Sequence, residues 1–134
     1  MSKKQNKIKG NRGEDLACQF LEKNGYQIIL RNFNCIYGEI DIIATDRKEL
    51  VFIEVKRKCQ NKFGQPIEAI TPVKLKHIYN TAQYYIYISN SFNTPIRFDA
   101  IEIYDLNDEN SSIIHTKKII LDNPSQKQRS DFYR

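Results

Sequence analysis

Gly38-Glu39-Ile40-Asp41-Ile42-Ile43-Ala44 and Leu50-Val51-Phe52-Ile53-Glu54-Val55-Lys56-Arg57, parted by the polar break Thr45 to Glu49, decide the fold. Both halves alternate apolar and polar residues with period two, the signature of a strand. The break contains Asp46 and no apolar residue, so a hairpin joins them most simply. A turn about the Arg47–Lys48 link sets Ala44 opposite Val51, Ile42 opposite Ile53 and Ile40 opposite Val55, one wholly apolar face. On the other face Ile43 meets Phe52, Asp41 meets Glu54 and Glu39 meets Lys56. A slip of one residue would throw Glu54 and Lys56 among the apolar side chains, so the pattern opposes it.

Asp41 beside Glu54 is the anomaly, because like charges directly opposed destabilise a sheet. Ile43, Leu50 and Phe52 share their face, so partial cover lowers the dielectric and sharpens the repulsion. Protonation of one carboxylate, neutralisation by Lys56 or Arg57, or a divalent cation between the two would relieve it. Lys56 lies on the same face as Glu54, roughly 6.6 Å along the strand. Two carboxylates and a lysine converging in this way suit Mg²⁺ or Mn²⁺ and a phosphate. Alternation alone equally allows a solvated face with a Glu39–Lys56 cross-strand pair.

Asp41 followed one strand later by Glu54-Val55-Lys56 resembles the D…(D/E)xK core of restriction-endonuclease-like nucleases. Upstream, Gly13-Glu14-Asp15-Leu16-Ala17 and then Leu21-Glu22-Lys23-Asn24-Gly25-Tyr26 look like that fold's opening helix. The ordered set that also takes in Asn32-Phe33, Gly38-Glu39-Ile40-Asp41, Phe63-Gly64, Lys74, Ala82 and Arg97-Phe98-Asp99 resembles the YraN family of small bacterial proteins, over roughly residues 10–104. The order Glu, Asp, Glu-x-Lys is also similar to that of archaeal Holliday-junction resolvases. One departure is that Ile40, and not proline, precedes Asp41.

The resemblance implies an α/β fold: a restriction-endonuclease-like core with a mixed central sheet flanked by helices, in the order α-β-β-β-α-β(-β). It implies a site in which Asp41, Glu54, the Val55 carbonyl and Glu14 hold Mg²⁺ or Mn²⁺. Asp41, Glu54, Lys56 and Glu14 would be the catalytic set, with Lys56 orienting a water or stabilising the pentacovalent phosphorus. Arg12, Arg57, Lys58, Lys62 and Lys74 would lie against the nucleic-acid backbone. Each has a plainer alternative: Glu14 in the first turn of a helix is favoured by the helix dipole, and the loop cations are ordinary surface charges.

The 134 residues suit one domain with a single core, and a formal charge of +5 favours a polyanionic partner. No apolar run approaches the roughly 18 residues that span a bilayer. Three cysteines stand far apart with no C-x-x-C and only two histidines, which argues against a zinc cluster. An odd cysteine count without a secretory signal reads as reduced thiols in the cytoplasm. Residues 1–9 and 123–134 are polar and read as flexible tails of that single 1–134 domain.

Between the tails the reading gives a helix over 12–24 stopped by Gly25 and a strand over 26–33. The hairpin strands follow, then a basic loop to Pro66 and a helix entered at Thr71-Pro72 with an apolar stripe from Leu75 to Ile86. A strand over 97–104 and a final strand within 112–121 complete it. Arg97 and Asp99, two apart on one strand face, are expected to pair with each other.

Three functions follow. The first is a metal-dependent nuclease hydrolysing phosphodiesters in DNA, branched or repair intermediates included. The second is a non-catalytic nucleic-acid-binding module, and the third a protein-interaction adaptor resting only on the tyrosine-rich end of the second helix and the polar loop after it. A membrane partner is not expected, and a homodimer is left open because related nucleases that cut two strands dimerise.

Overall fold

The computed structural model describes residues 2–59, 72–105 and 111–119, with side chains excepted at 2–11, 59 and 105. Its elements are α1 (Ser2–Lys23), β1 (Gln27–Cys35), β2 (Gly38–Asp46), β3 (Glu49–Cys59), α2 (Pro72–Ser89), β4 (Ile96–Asp105) and β5 (Ser111–Thr116). The strands form one sheet in the order β1-β2-β3-β4-β5. Neighbours are antiparallel except β3 and β4, which are parallel, with α2 between them in the chain. This is the expected α/β order α-β-β-β-α-β-β. The expected C-terminal tail, Lys62 and Thr71 lie outside the described residues.

Each face of the sheet is covered by one helix, because each helix carries an apolar stripe too wide to leave in water. Ala17, Cys18 and Leu21 of α1 pack on Ile42, Ala44, Val51 and Ile53. Ile78, Ala82 and Ile86 of α2 pack on Ile43, Leu50, Phe52 and Phe98. Side chains of this size contribute about 1.5–3 kcal/mol each when fully buried, and Ile42, Ile43, Val51, Phe52 and Ile53 are almost completely enclosed.

The expected stop at Gly25 is a Schellman closure. Gly25 N donates to Glu22 O at 3.1 Å and Tyr26 N to Leu21 O at 3.0 Å, with Gly25 at φ 89°. Asn90, at φ 55°, ends α2 in the same way, with Ser91 N donating to Ile86 O at 3.0 Å. At its other end α1 differs from expectation: helical backbone begins at Ser2, ten residues ahead of the predicted start and through the expected N-terminal tail.

The hairpin register is the predicted one where the strands pair: Ile42 with Ile53, Ile43 with Phe52, Ala44 with Val51. It stops there. The expected Asp41–Glu54, Ile40–Val55 and Glu39–Lys56 ladder pairs do not form; Lys56 instead registers with Glu102 of β4. Ile40 also leaves the face shared by Ile42 and Ala44 and packs beneath α2 with Ile43. Asn32 of β1, at φ 55°, stands between the pairs Arg31–Ile42 and Phe33–Ile40, beside the point where β2 parts from β3. Beyond Ile42 the strand follows β1 and parts from β3.

Gly38, where β2 begins, lies close against α2. Its φ of 147° is unfavourable for any other residue, and a Cβ there would lie 3.2 Å from Thr81 Oγ1 and 3.3 Å from His77 Cβ on α2. Gly38→Ala is expected to cost about 1–3 kcal/mol, read as a lower urea midpoint at unchanged slope. An unchanged midpoint would mean that α2 does not lie this close.

Candidate active site at the parting of the central hairpin

Once β2 leaves β3, the Val55 amide loses the partner that a continued ladder would give it. The Asp41 carboxylate replaces it: Val55 N donates to Asp41 Oδ2 at 2.8 Å. The side chain is thereby drawn into the gap between the strands, next to Glu54. Burial, and after it the Glu54 charge, push the Asp41 carboxyl up to about 7; the Val55 amide opposes this, while Glu14 and Glu39 add to it. The anomaly anticipated from the sequence is thus real in electrostatic terms, although the two residues are not a ladder pair.

Glu54 projects towards α2 and is nearly buried. Its Oε1 lies 2.6 Å from Lys74 Nζ, a contact in which the lysine side chain retains 41% exposure and the glutamate 10%. Lys56, two residues on and half-buried, is a neighbour of both: burial lowers the pKa of its ammonium first, Lys74 lowers it further, and Glu54 acts in the opposite sense. Two lysines from different elements therefore flank one buried carboxylate.

Glu14 reaches the site from the other face. Because α1 begins at Ser2, Glu14 stands well inside the helix, and the first-turn dipole no longer accounts for it. Its Oε2 is buried without a hydrogen-bond partner, and Arg31 Nη2 stands 3.6 Å away. The same guanidinium holds Asp15 at 2.7 Å. At Gly13, one residue before, α1 lies against β3 with room to spare: a Cβ there would be 3.6 Å from Arg57 Cδ, an ordinary contact. Of the remaining predicted backbone contacts, Arg12 and Arg57 are exposed and Lys58 half-buried.

Arg31 and Glu102 were not anticipated. Glu102 is buried beside Lys56 in the β3–β4 register and accepts a hydrogen bond from the Tyr104 hydroxyl at 2.9 Å. The alternation Phe98, Ala100, Glu102 carried the signal, since it puts Glu102 on the Glu54 face.

Arg97 and Asp99 pair as expected, and the pair anchors a larger network on the α1 side. Arg97 Nε donates to Asp99 Oδ1 at 2.9 Å and Nη2 to Oδ2 at 3.0 Å. Arg97 Nη1 reaches Asp46 and Glu49 at the hairpin turn, Nη2 also meets the Tyr26 hydroxyl, and His115 Nε2 lies 2.8 Å from Asp99 Oδ2. Burial works against the Asp99 charge, but the His115 and Arg97 hydrogen bonds outweigh it and hold the carboxyl at about 2. This group is fully partnered and belongs to the framework.

A hard divalent cation prefers oxygen donors, and the parting of the hairpin offers two carboxylates, with Glu14 acting on Asp41 electrostatically while its Oε2 stands 3.6 Å from Arg31. The donor set fits such an ion held chiefly by Asp41 and Glu54. Among the described residues no three His, Cys, Asp or Glu side chains converge as a ready-made metal cluster.

The fold and site together define a small α/β protein with the element order of a restriction-endonuclease-like core. The model of Uncharacterised protein family UPF0102 matches residues 13–103. A UPF0102 protein of Clostridium perfringens (strain 13 / Type A) is 52% identical over 101 residues, 75% of this chain and 83% of the relative. Another, of Clostridioides difficile (strain 630), is 46% identical over 99 residues, 74% and 87%. A third, of Caldanaerobacter subterraneus subsp. tengcongensis, is 42% identical over 120 residues, 90% and 98%. The chain belongs to the UPF0102 family, the YraN family that its motifs resemble. No helix among the described residues is long and apolar enough to cross a membrane.

The raised Asp41 carboxyl has a consequence for stability. Its folded pKa, about 7, exceeds the 3.8 of an unperturbed carboxyl. The protonated form therefore supports the fold fully below about pH 4, and that support is lost as pH rises through 7. Asp41→Asn keeps an acceptor for the Val55 amide and carries no charge. It is expected to be more stable than the wild type at pH 8, by on the order of 1–3 kcal/mol, and equally stable at pH 4. Urea denaturation at pH 4, 6 and 8 checks this; a difference independent of pH would contradict it.

Proposed function

We propose that the protein is a metal-dependent nuclease that hydrolyses phosphodiesters in DNA, branched and repair intermediates included. The observation that carries this reading is the mutually repelling pair of half-buried Asp41 and buried Glu54, with Lys56 and Lys74 at its rim. A fold gains no stability by setting two carboxylates against each other at the end of a hairpin, since burying like charge is costly even where Lys74 offsets part of it. Such a pair has value where a cation and a phosphate are to be received.

In this reading Asp41 and Glu54, with the Val55 carbonyl and Glu14 as further donors, hold Mg²⁺ or Mn²⁺. When bound, the ion supplies Lewis-acid withdrawal of charge from the phosphate. Asp41 is fixed in place by the Val55 amide, so the donor set is oriented before substrate arrives. Lys56 turns its ammonium towards the phosphate and stabilises the negative charge that develops there. Burial around Ile40, Phe52 and Ile78 keeps one side of the site dry, which strengthens each of these interactions. Arg12, Arg57, Lys58 and Lys62 take the flanking phosphates, a contribution that positions the strand without reading its sequence.

A second reading, a nucleic-acid-binding module without catalysis, rests on the basic side chains Lys56 and Lys74 beside Glu54 and on the formal charge of +5. The two readings part on a single comparison. With junction, flap and single-stranded DNA in Mn²⁺, the nuclease reading expects cleavage that falls at least about 100-fold in Asp41→Asn and Glu54→Gln, while binding of the same DNA, measured by anisotropy, weakens steeply with salt in all three proteins. Salt-dependent binding without cleavage of any substrate supports the binding module, and salt-insensitive or absent binding contradicts both.

A further inference from the structure

The contact between Lys74 and Glu54 joins a helix to the site in a way that the nuclease reading leaves unused. Lys74 is the third residue of α2, and its Nζ stands 2.6 Å from Glu54 Oε1. The two ends of this contact have opposite characters. Glu54 is held in the sheet with 10% of its side chain exposed, whereas Lys74 keeps 41% exposure on a long, flexible stem. The glutamate is the more enclosed of the two, and the lysine has the longer reach. An ammonium at this distance occupies one oxygen of the carboxylate, and its charge offsets the excess negative charge of the Asp41–Glu54 pair.

We propose that Lys74 is an intramolecular counter-ion that holds Glu54 in the DNA-free protein and is drawn away by a nucleic-acid phosphate, so that divalent cation and DNA bind with positive linkage. The proposal rests on the reading of Asp41 and Glu54 as a cation site. A divalent cation at Glu54 meets the Lys74 charge directly, so the lysine weakens cation binding while it stays there. A phosphate competes with Glu54 for the Lys74 ammonium. The move clears Glu54 and leaves the lysine bridging to the substrate. Linkage is reciprocal, so the cation must also tighten DNA binding by the same factor that DNA tightens cation binding. The site is thereby kept from loading metal, and from random hydrolysis, until a strand is present.

The test is calorimetric Mn²⁺ titration of the wild type, Lys74→Met, Lys74→Arg and Asp41→Asn, each alone and with a short DNA duplex, using Asp41→Asn plus DNA as the blank for Mn²⁺ taken up by the duplex. Lys74 is far enough exposed for the substitutions to leave the core in place, which thermal melts verify. Without DNA, Lys74→Met is expected to bind Mn²⁺ at least about tenfold tighter than the wild type, with Lys74→Arg close to the wild type. DNA is expected to raise the wild-type affinity and leave that of Lys74→Met unchanged. Equal affinities in wild type and Lys74→Met, with binding still lost in Asp41→Asn, would overturn the counter-ion role and leave the cation site standing. Binding indifferent to Asp41→Asn would remove the cation site, and the proposal with it.

Discussion

The hydrogen bond from the Val55 amide to the Asp41 carboxylate is the constraint on which the candidate site depends. A buried amide cannot be left unpaired without a cost of about 1–3 kcal/mol, and the ladder between β2 and β3 ends just before Val55. A backbone carbonyl from β2 is no longer within reach because Ile40 has turned under α2. The side chain of Asp41 meets the need, so the geometry of the sheet fixes the carboxylate at the point where Glu54 leaves β3. The positions of Glu14, Lys56 and Lys74 have meaning relative to that one bond.

The hairpin has two ends, and its charges are treated differently at each. At the turn, Asp46 and Glu49 meet Arg97, which also grips Asp99; His115 and Tyr26 complete the group. Every charge there has a partner and Asp99 stays ionised far below neutrality. At the open end, Asp41 and Glu54 repel, Glu14 Oε2 lacks a hydrogen bond, and Asp41 is driven towards protonation. Both ends hold buried charge, Arg97 and Asp99 at one and Glu54 at the other, so burial alone does not separate framework from site. The difference is that at the open end one carboxylate acts against another although Lys74 holds Glu54. The first arrangement specifies how β4 and β5 lie against the hairpin; the second stores unfavourable electrostatics that a cation or a phosphate would relieve.

Much of this was legible in the sequence. Period-two alternation fixed the hairpin register from Ile42 to Val51, and the collision of Asp41 with Glu54 was visible from the same pattern. Gly25 marked the end of α1 because only a residue tolerant of positive φ closes that turn. Other features were not legible, for physical reasons. The switch of Ile40 to the opposite face falls beside a left-handed Asn32 on the neighbouring strand, and alternation within one strand carries no trace of its neighbour's kink. The start of α1 at Ser2 was hidden because residues 2–9 have no apolar stripe. Arg31, His115 and Tyr26 gain their roles from contacts across the sheet, distant in sequence and unmarked by any local spacing.

The most direct test of the central claim is a crystal of the wild-type protein soaked in Mn²⁺ with a short DNA strand, with anomalous scattering recorded at the manganese edge. The account requires an anomalous peak at the parting of β2 and β3, within about 2.0–2.6 Å of carboxylate oxygens of both Asp41 and Glu54. Manganese found only at other surface carboxylates, with Lys74 still on Glu54, would contradict it.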